Sequence, residues 1–122
     1  MFVVIVAGSR SFSDRSLMYN KLDYYLQNQD KILIVHGGAN GADKCAAMYA
    51  KDRNIETKVF LPDCDKYGKK AGILRNIEMF KYASKFQNRG CAVFWDGKSK
   101  GTKNDIELSK KYNVLLRIVE FR

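Results

Sequence analysis

Residues 34–43 read IVHGGANGAD, a β-branched run that meets three glycines (Gly37, Gly38 and Gly41) and then, at once, a helical pattern. The apolar stretch Ile32–Val35 has the character of a buried strand. Beyond the glycines, Ala42, Cys45, Ala46, Tyr49 and Ala50 fall at i, i+3, i+4, i+7 and i+8, one stripe on a helix. Most of that stripe is small, so the helix can lie close against a sheet. Strand, glycine turn and close-packed helix form one half of a βαβ unit. Whether the unit repeats decides the fold.

It repeats along the whole chain. Apolar, β-branched runs recur at Phe2–Ala7, Ile32–Val35, Thr57–Leu61, Cys91–Trp95 and Val114–Val119, near-continuous rather than alternating, as strands buried on both faces read. Helical segments separate them. One follows SFSD with Met18, Leu22, Tyr25 and Leu26 as its stripe, another carries Ile73, Ile77 and Phe80, and the last runs from near Thr102 to about Tyr112. The order βαβαβαβαβ predicts an α/β fold, a Rossmann-like three-layer sandwich around a five-stranded parallel sheet. Right-handed crossovers give an expected strand order 3-2-1-4-5, with a switch point between strands 1 and 4 where ligands bind in sheets of this kind.

The 122 residues are expected to form a single domain, 1–122. The opening MFVVIVAGSR lacks a charged leader region and is too short to span a bilayer. Three widely spaced cysteines (Cys45, Cys64 and Cys91) read as free thiols in a reducing cytoplasm, and no membrane association is expected. With one histidine, His36, a His/Cys metal site is disfavoured, and no cofactor is expected. The net charge of +9 favours anionic partners, although the lysines of KYGKK (66–70), KSKGTK (98–103) and KK (110–111) also read as a solvated basic face.

Polar and glycine residues collect in the loops after the strands. GSRSFSD (8–14), HGGANGAD (36–43), LPDCDKYGKKAGILRN (61–76) and DGKSKGTKND (96–105) all fall on the expected ligand edge. Gly37 and Gly38 admit a backbone close to a ligand and permit positive φ, and the helix that follows offers unpaired N–H groups to an anion. The second glycine loop, with Gly97, Ser99, Gly101 and Thr102, repeats the device. Gly8, Ser9, Arg10, Ala39 and Asn40 complete the expected phosphate-binding edge, with Arg10 and Arg75 as anion partners. Asn76 is placed to read a base or a ribose hydroxyl. The sequence matches neither G-x-G-x-x-G nor the P-loop pattern. Asn40 is the expected cap of the second helix with Asp43 at its third position, and Thr102 and Asp105 are spaced as a capping box. Asp43 and Asp105 each read as cap or as ligand group. His36 reads as a structural histidine or a general base, Trp95 as a base platform or a core residue.

The pieces AGSRSFSD, VHGGANGADKCAA, AGILRNIEM and FWDGKSKGTKNDI together resemble the SLOG superfamily, the Rossmann-like group that contains the Lonely Guy phosphoribohydrolases and DNA-processing protein A, and within it the small YspA-like branch. The resemblance implies a nucleotide or nucleotide-derived ligand, bound by a sensor or sequestering module. Against the Lonely Guy enzymes, ILRN matches the segment of their catalytic arginine, which implies Arg75. DGKSKGTKND matches part of their P-G-G-x-G-T-x-x-E loop, with Asp105 where their catalytic glutamate stands. N-glycosidic hydrolysis of a nucleotide is thus an alternative reading, with Arg75 and Asp105 as its catalytic pair. Single-stranded nucleic acid, after DNA-processing protein A, is another. SLOG relatives commonly pair, and apolar Met79, Phe80 and Phe86 on and after the third helix imply a homo-oligomer, expected to be a dimer.

Overall fold

The computed structural model describes residues 1–122. Its elements run β1 (Phe2–Gly8), α1 (Arg15–Leu26), β2 (Ile32–His36), α2 (Ala42–Asp52), β3 (Glu56–Val59), α3 (Cys64–Tyr67), a 3-10 turn (Gly68–Lys70), α4 (Ala71–Ala83), β4 (Asn88–Trp95), α5 (Lys100–Lys111) and β5 (Leu115–Glu120). The five strands form one parallel sheet in the order β3-β2-β1-β4-β5, as expected. Strand β1 is central. It pairs with β2 from Phe2↔Ile32 and with β4 from Phe2↔Asn88 through Gly8↔Phe94.

The continuous apolar run of β1 serves two cores. Val4 and Val6 point to one face, where Met18, Leu22 and Leu26 of α1 and the small stripe of α2 cover them. Val3, Ile5 and Ala7 point to the other, beneath Met79, Phe80 and Ala83 of α4 and Ile106 and Leu108 of α5. Alternate side chains thus need apolar neighbours on opposite sides, and period-2 patterning disappears.

The outer strands differ from expectation. All four residues of β3 are exposed, and Val119 is the one buried residue of β5. These are the sheet edges, each with no neighbour beyond it. Strand β3 also ends before Phe60 and Leu61, which were expected within it. Helix α5 starts two residues earlier than expected. Helices α2 and α5 are each followed closely by an asparagine in the left-handed region, Asn54 (φ 57°) and Asn113 (φ 54°), a short polar residue that tolerates that conformation.

Met79 and Phe80 are buried at 2% and 0% exposure within the chain's own core, and Phe86 packs against it. Met79 and Phe80 therefore present no apolar face at the surface, while Phe86 stays partly exposed. No helix is long and apolar enough to cross a membrane.

Candidate functional site

Strands β1 and β4 lie side by side, and their following loops turn to opposite faces of the sheet. A cleft of about 540 Å³ opens over this divergence. Gly8, Ser9 and Arg10 enter it from β1, Ala39 and Asp43 from the β2 loop and α2, Arg75 and Asn76 from α4, and Ser99, Gly101, Thr102 and Asp105 from α5 and its approach. A second cavity of about 510 Å³ adjoins it and takes Gly37, Gly38 and Asn40. Thirteen of the fourteen expected binding positions, and Asp105 with them, therefore gather at one edge. Gly97 lines neither cavity; at φ +82° it turns the chain between β4 and α5.

The glycines divide into two kinds. A Cβ on Gly37 would land on the Arg75 guanidinium, and one on Gly41 would strike the carbonyl oxygens of Ser9 and Arg10. Glycine at 37 and 41 is thus required by the chain's own packing, and Gly37 still lines the second cavity. Gly72 and Gly101 are the reverse. Each is the second residue of a helix with ordinary φ, a Cβ there would meet nothing within 4 Å, and both line the first cleft.

Arg75 is half-buried and held from three sides. Its Nη1 donates to the carbonyls of Gly37 (2.6 Å) and Phe60 (3.3 Å), and its Nε to Asn76 Oδ1 (2.9 Å). Asn76, expected to read a base or ribose, therefore uses its carbonyl to orient the arginine. Arg75 ties the β2 and β3 loops to α4 and leaves Nη2 without a partner in the chain. Ser9 is buried, and its Oγ accepts from Asp96 N–H at 3.2 Å, joining the β1 and β4 loops. Asp96 in turn accepts from the N–H groups of Lys98 and Ser99, both at 2.8 Å, and these bonds hold its pKa below the ordinary carboxylate value. Trp95 donates its Nε1–H to Ser99 O and packs on the core, so it fastens the loop.

The expected caps move. Helix α2 is capped by Gly41 with no side-chain bond, not by Asn40, and Asp43 reaches back to accept from Ala39 N–H at 3.1 Å. Helix α5 is capped by Ser99, which accepts from Thr102 N–H. Thr102 and Asp105 therefore form no capping box. They lie inside α5, where Thr102, Asp105, Ile106 and Ser109 form a single buried stripe.

Asp105 is the chemically unusual group of the cleft. It is 5% exposed, and its Oδ1 is buried without a hydrogen-bond partner. Burial, reinforced by the neighbouring Asp43 carboxylate and opposed by Arg75, pushes its pKa up to about 8. The shift favours the protonated form, in which the carboxyl can donate. Asp43 is also raised by burial, with the Ala39 N–H and the Arg75 charge pulling back. The walls carry the compensating charge of Arg10 and Lys69. The first turn of α5 adds the N–H groups that a helix leaves unpaired, again on this edge.

His36 stands apart. It is buried, Nδ1 accepts from Gly38 N–H at 3.1 Å, and the opposite Nε2 has no partner. Burial first, then the Arg75 charge, hold its pKa below the ordinary 6.5. In a nitrogen-detected NMR titration, His36 should remain the neutral Nε2–H tautomer at pH 6.5 and protonate only below it. A midpoint at or above 6.5 would contradict this environment. Its role is to close the glycine turn.

Ile73, expected on the packed stripe of its helix, is instead 54% exposed and lines the cleft; Lys69 and Gly72 line it too and were not expected as site residues. Their signal lay in KYGKKAG, where a lysine run leads into a glycine just inside a helix.

A 3-2-1-4-5 parallel sheet with a polar cleft at its switch point defines a Rossmann-like α/β protein. Within that class the sequence is decisive: the profile of the YspA, cpYpsA-related SLOG family matches residues 2–67, and the chain belongs to that family. It is similar to the Gene 61 protein of Mycobacterium phage D29, 32% identical over 117 residues that cover 91% of this chain and 90% of the relative. Among solved structures it is similar to a predicted subunit of tRNA methyltransferase from Methanocaldococcus jannaschii, at 17% identity and a TM-score of 0.45, covering 97% of this chain and 67% of the other.

Proposed function

We propose that the cleft binds a phosphate-bearing nucleotide or nucleotide-derived molecule, and that the protein acts as a sensor or sequestering module for it. The observation that carries this reading is the pair Gly72 and Gly101. Glycine in the middle of a helix costs roughly 0.5–1 kcal/mol relative to alanine, and in the first turn, where these two stand, a smaller part of that. Here no atom of the chain needs the space, which opens into a cleft bearing Arg10, Lys69 and Arg75. Room kept at a cost to stability, beside cations and helix N–H groups, suits an anion pressed against backbone. Membership of the SLOG family supports a nucleotide-related role.

A panel of nucleotides and their derivatives tests this by thermal shift. A true ligand at a hundredfold excess over its dissociation constant should add about 2.7 kcal/mol of stability. Arg10→Ala and Gly101→Leu should fold normally and lose most of that gain. If no member of a broad panel gives a saturable shift, the reading fails.

The proton held by Asp105 favours a second reading, cleavage of the ligand's N-glycosidic bond. In that reaction the C1′–N bond breaks, its electron pair leaves with the base, and the Asp105 carboxyl protonates the departing nitrogen. Water adds to C1′ and releases its own proton. Release of free base from a bound nucleotide distinguishes the two readings.

A further inference from the structure

We infer that the ligand is two-lobed, with two nucleoside- or sugar-sized halves joined by a phosphate linker that lies along the residues the two cavities share. The inference rests on the nucleotide reading and specifies the class of molecule. The cavities, about 540 and 510 Å³, share the residues Arg10, Ala39, Lys69, Gly72 and Arg75. Each volume alone lies in the range of a small-molecule site, so a mononucleotide would leave one of them empty.

Charge and polarity are arranged to match. Three of the five shared residues are cations, none is acidic, and none of the three cations is engaged in a salt bridge: the chain's ion pairs, Arg15–Asp52 and Arg53–Asp23, lie elsewhere. A linker carrying two negative charges fits such a boundary better than one terminal phosphate does. The two sides differ. The first cavity has a polar floor, with Asp43, Asn76, Thr102 and the unpartnered Oδ1 of Asp105, suited to hydroxyls and ring nitrogens. The second pairs the Gly37–Gly38 backbone and Asn40 with Leu61 and Pro62, and Leu61 stands 72% exposed at its wall. An apolar side chain left in water beside a cavity gains most from a flat, apolar face laid over it.

The chain carries its own reporter. Cys64 is exposed and lines the second cavity, whereas Cys45 and Cys91 are buried. Alkylation of the folded protein by N-ethylmaleimide, followed by mass spectrometry, therefore reads occupancy of the second cavity. The probes are the four ribonucleoside monophosphates, the matching pyrophosphate-linked dinucleosides and the nucleoside diphosphate riboses. At least one linked compound should bind tenfold or more tighter than its monophosphate and slow Cys64 alkylation at least tenfold. The monophosphate should saturate its own thermal shift and leave that rate unchanged. Protein alkylated beforehand should lose the tenfold advantage and keep its monophosphate affinity. Linked compounds that bind no tighter, or monophosphates that protect Cys64 equally, would overturn the two-lobed ligand with the nucleotide reading intact. If neither series binds, both fail.

Discussion

Gly41→Ala is expected to destabilise the fold by roughly 2–5 kcal/mol, combining about 1–2 kcal/mol for a side chain at positive φ with about 1–3 kcal/mol for overpacking. Gly41 sits at φ +82° and ψ −125°, a conformation that glycine alone adopts readily. Its added Cβ would also meet main-chain oxygens, those of Ser9 and Arg10, and backbone yields less readily than a flexible side chain. The loop cannot retreat without loss, because Ser9 O also accepts from Ala42 N–H (3.3 Å) and Phe12 N–H (3.1 Å). In a urea melt the midpoint should fall sharply. Gly101→Ala supplies the contrast: its φ is ordinary and its Cβ meets open space, so stability should be unchanged or rise by up to about 1 kcal/mol. Equal effects at the two positions would refute the division between glycines the chain requires and glycines the cleft retains.

That division marks how far the sequence could be read. The interior of the fold was legible because β1, β2 and β4 place apolar residues on both faces, and because the stripe from Ala42 to Ala50 has no other explanation than close packing. The edges were less so: β3, with Glu56, Thr57, Lys58 and Val59 all exposed, carries little hydrophobic signal, and the short α3 and its 3-10 turn have no apolar stripe at all. Cap chemistry misled for a definite reason. Asn40 and Thr102 are residue types that can cap, but which residue does so depends on where the preceding loop is pinned. Ser9, through its contacts with Asp96 and Ala42, pins both loops from 33 or more positions away. The residues that line the two cavities were legible because they lie after strands. The partners that orient them were not, since the bonds of Arg75 to Gly37 and Phe60 join segments that only the tertiary fold brings together. Asp105 did leave a trace, a carboxylate on the same helical stripe as Thr102, Ile106 and Ser109, which is a polar insertion where an apolar residue would pack.

Asp105→Asn should make the protein more stable at neutral and mildly alkaline pH, and should remove a slope from its stability curve. An ordinary carboxyl titrates near 3.8, and burial beside Asp43 raises this one to about 8 in the folded chain. Between those values the folded state holds a proton that the unfolded state has released, so stability must fall as pH rises. The slope approaches about 1.4 kcal/mol per pH unit over that window. Below pH 4 both states are protonated and the term vanishes. Asparagine has nearly the same shape, carries no charge at any pH and donates a hydrogen bond as the protonated acid does. The variant should therefore match the wild type near pH 4 and exceed it increasingly towards pH 8, as measured by denaturant melts across that range. A variant less stable than wild type at pH 8 would show that the carboxyl is satisfied in some other way. The same substitution then separates the two functional readings. A sensor that uses position 105 as a hydrogen-bond donor should keep its ligand in the variant. A hydrolase should keep the ligand and lose release of base, because an amide has no proton to give to the departing nitrogen. Should the substitution gain stability, the carboxyl at 105 is kept for the cleft and not for the core.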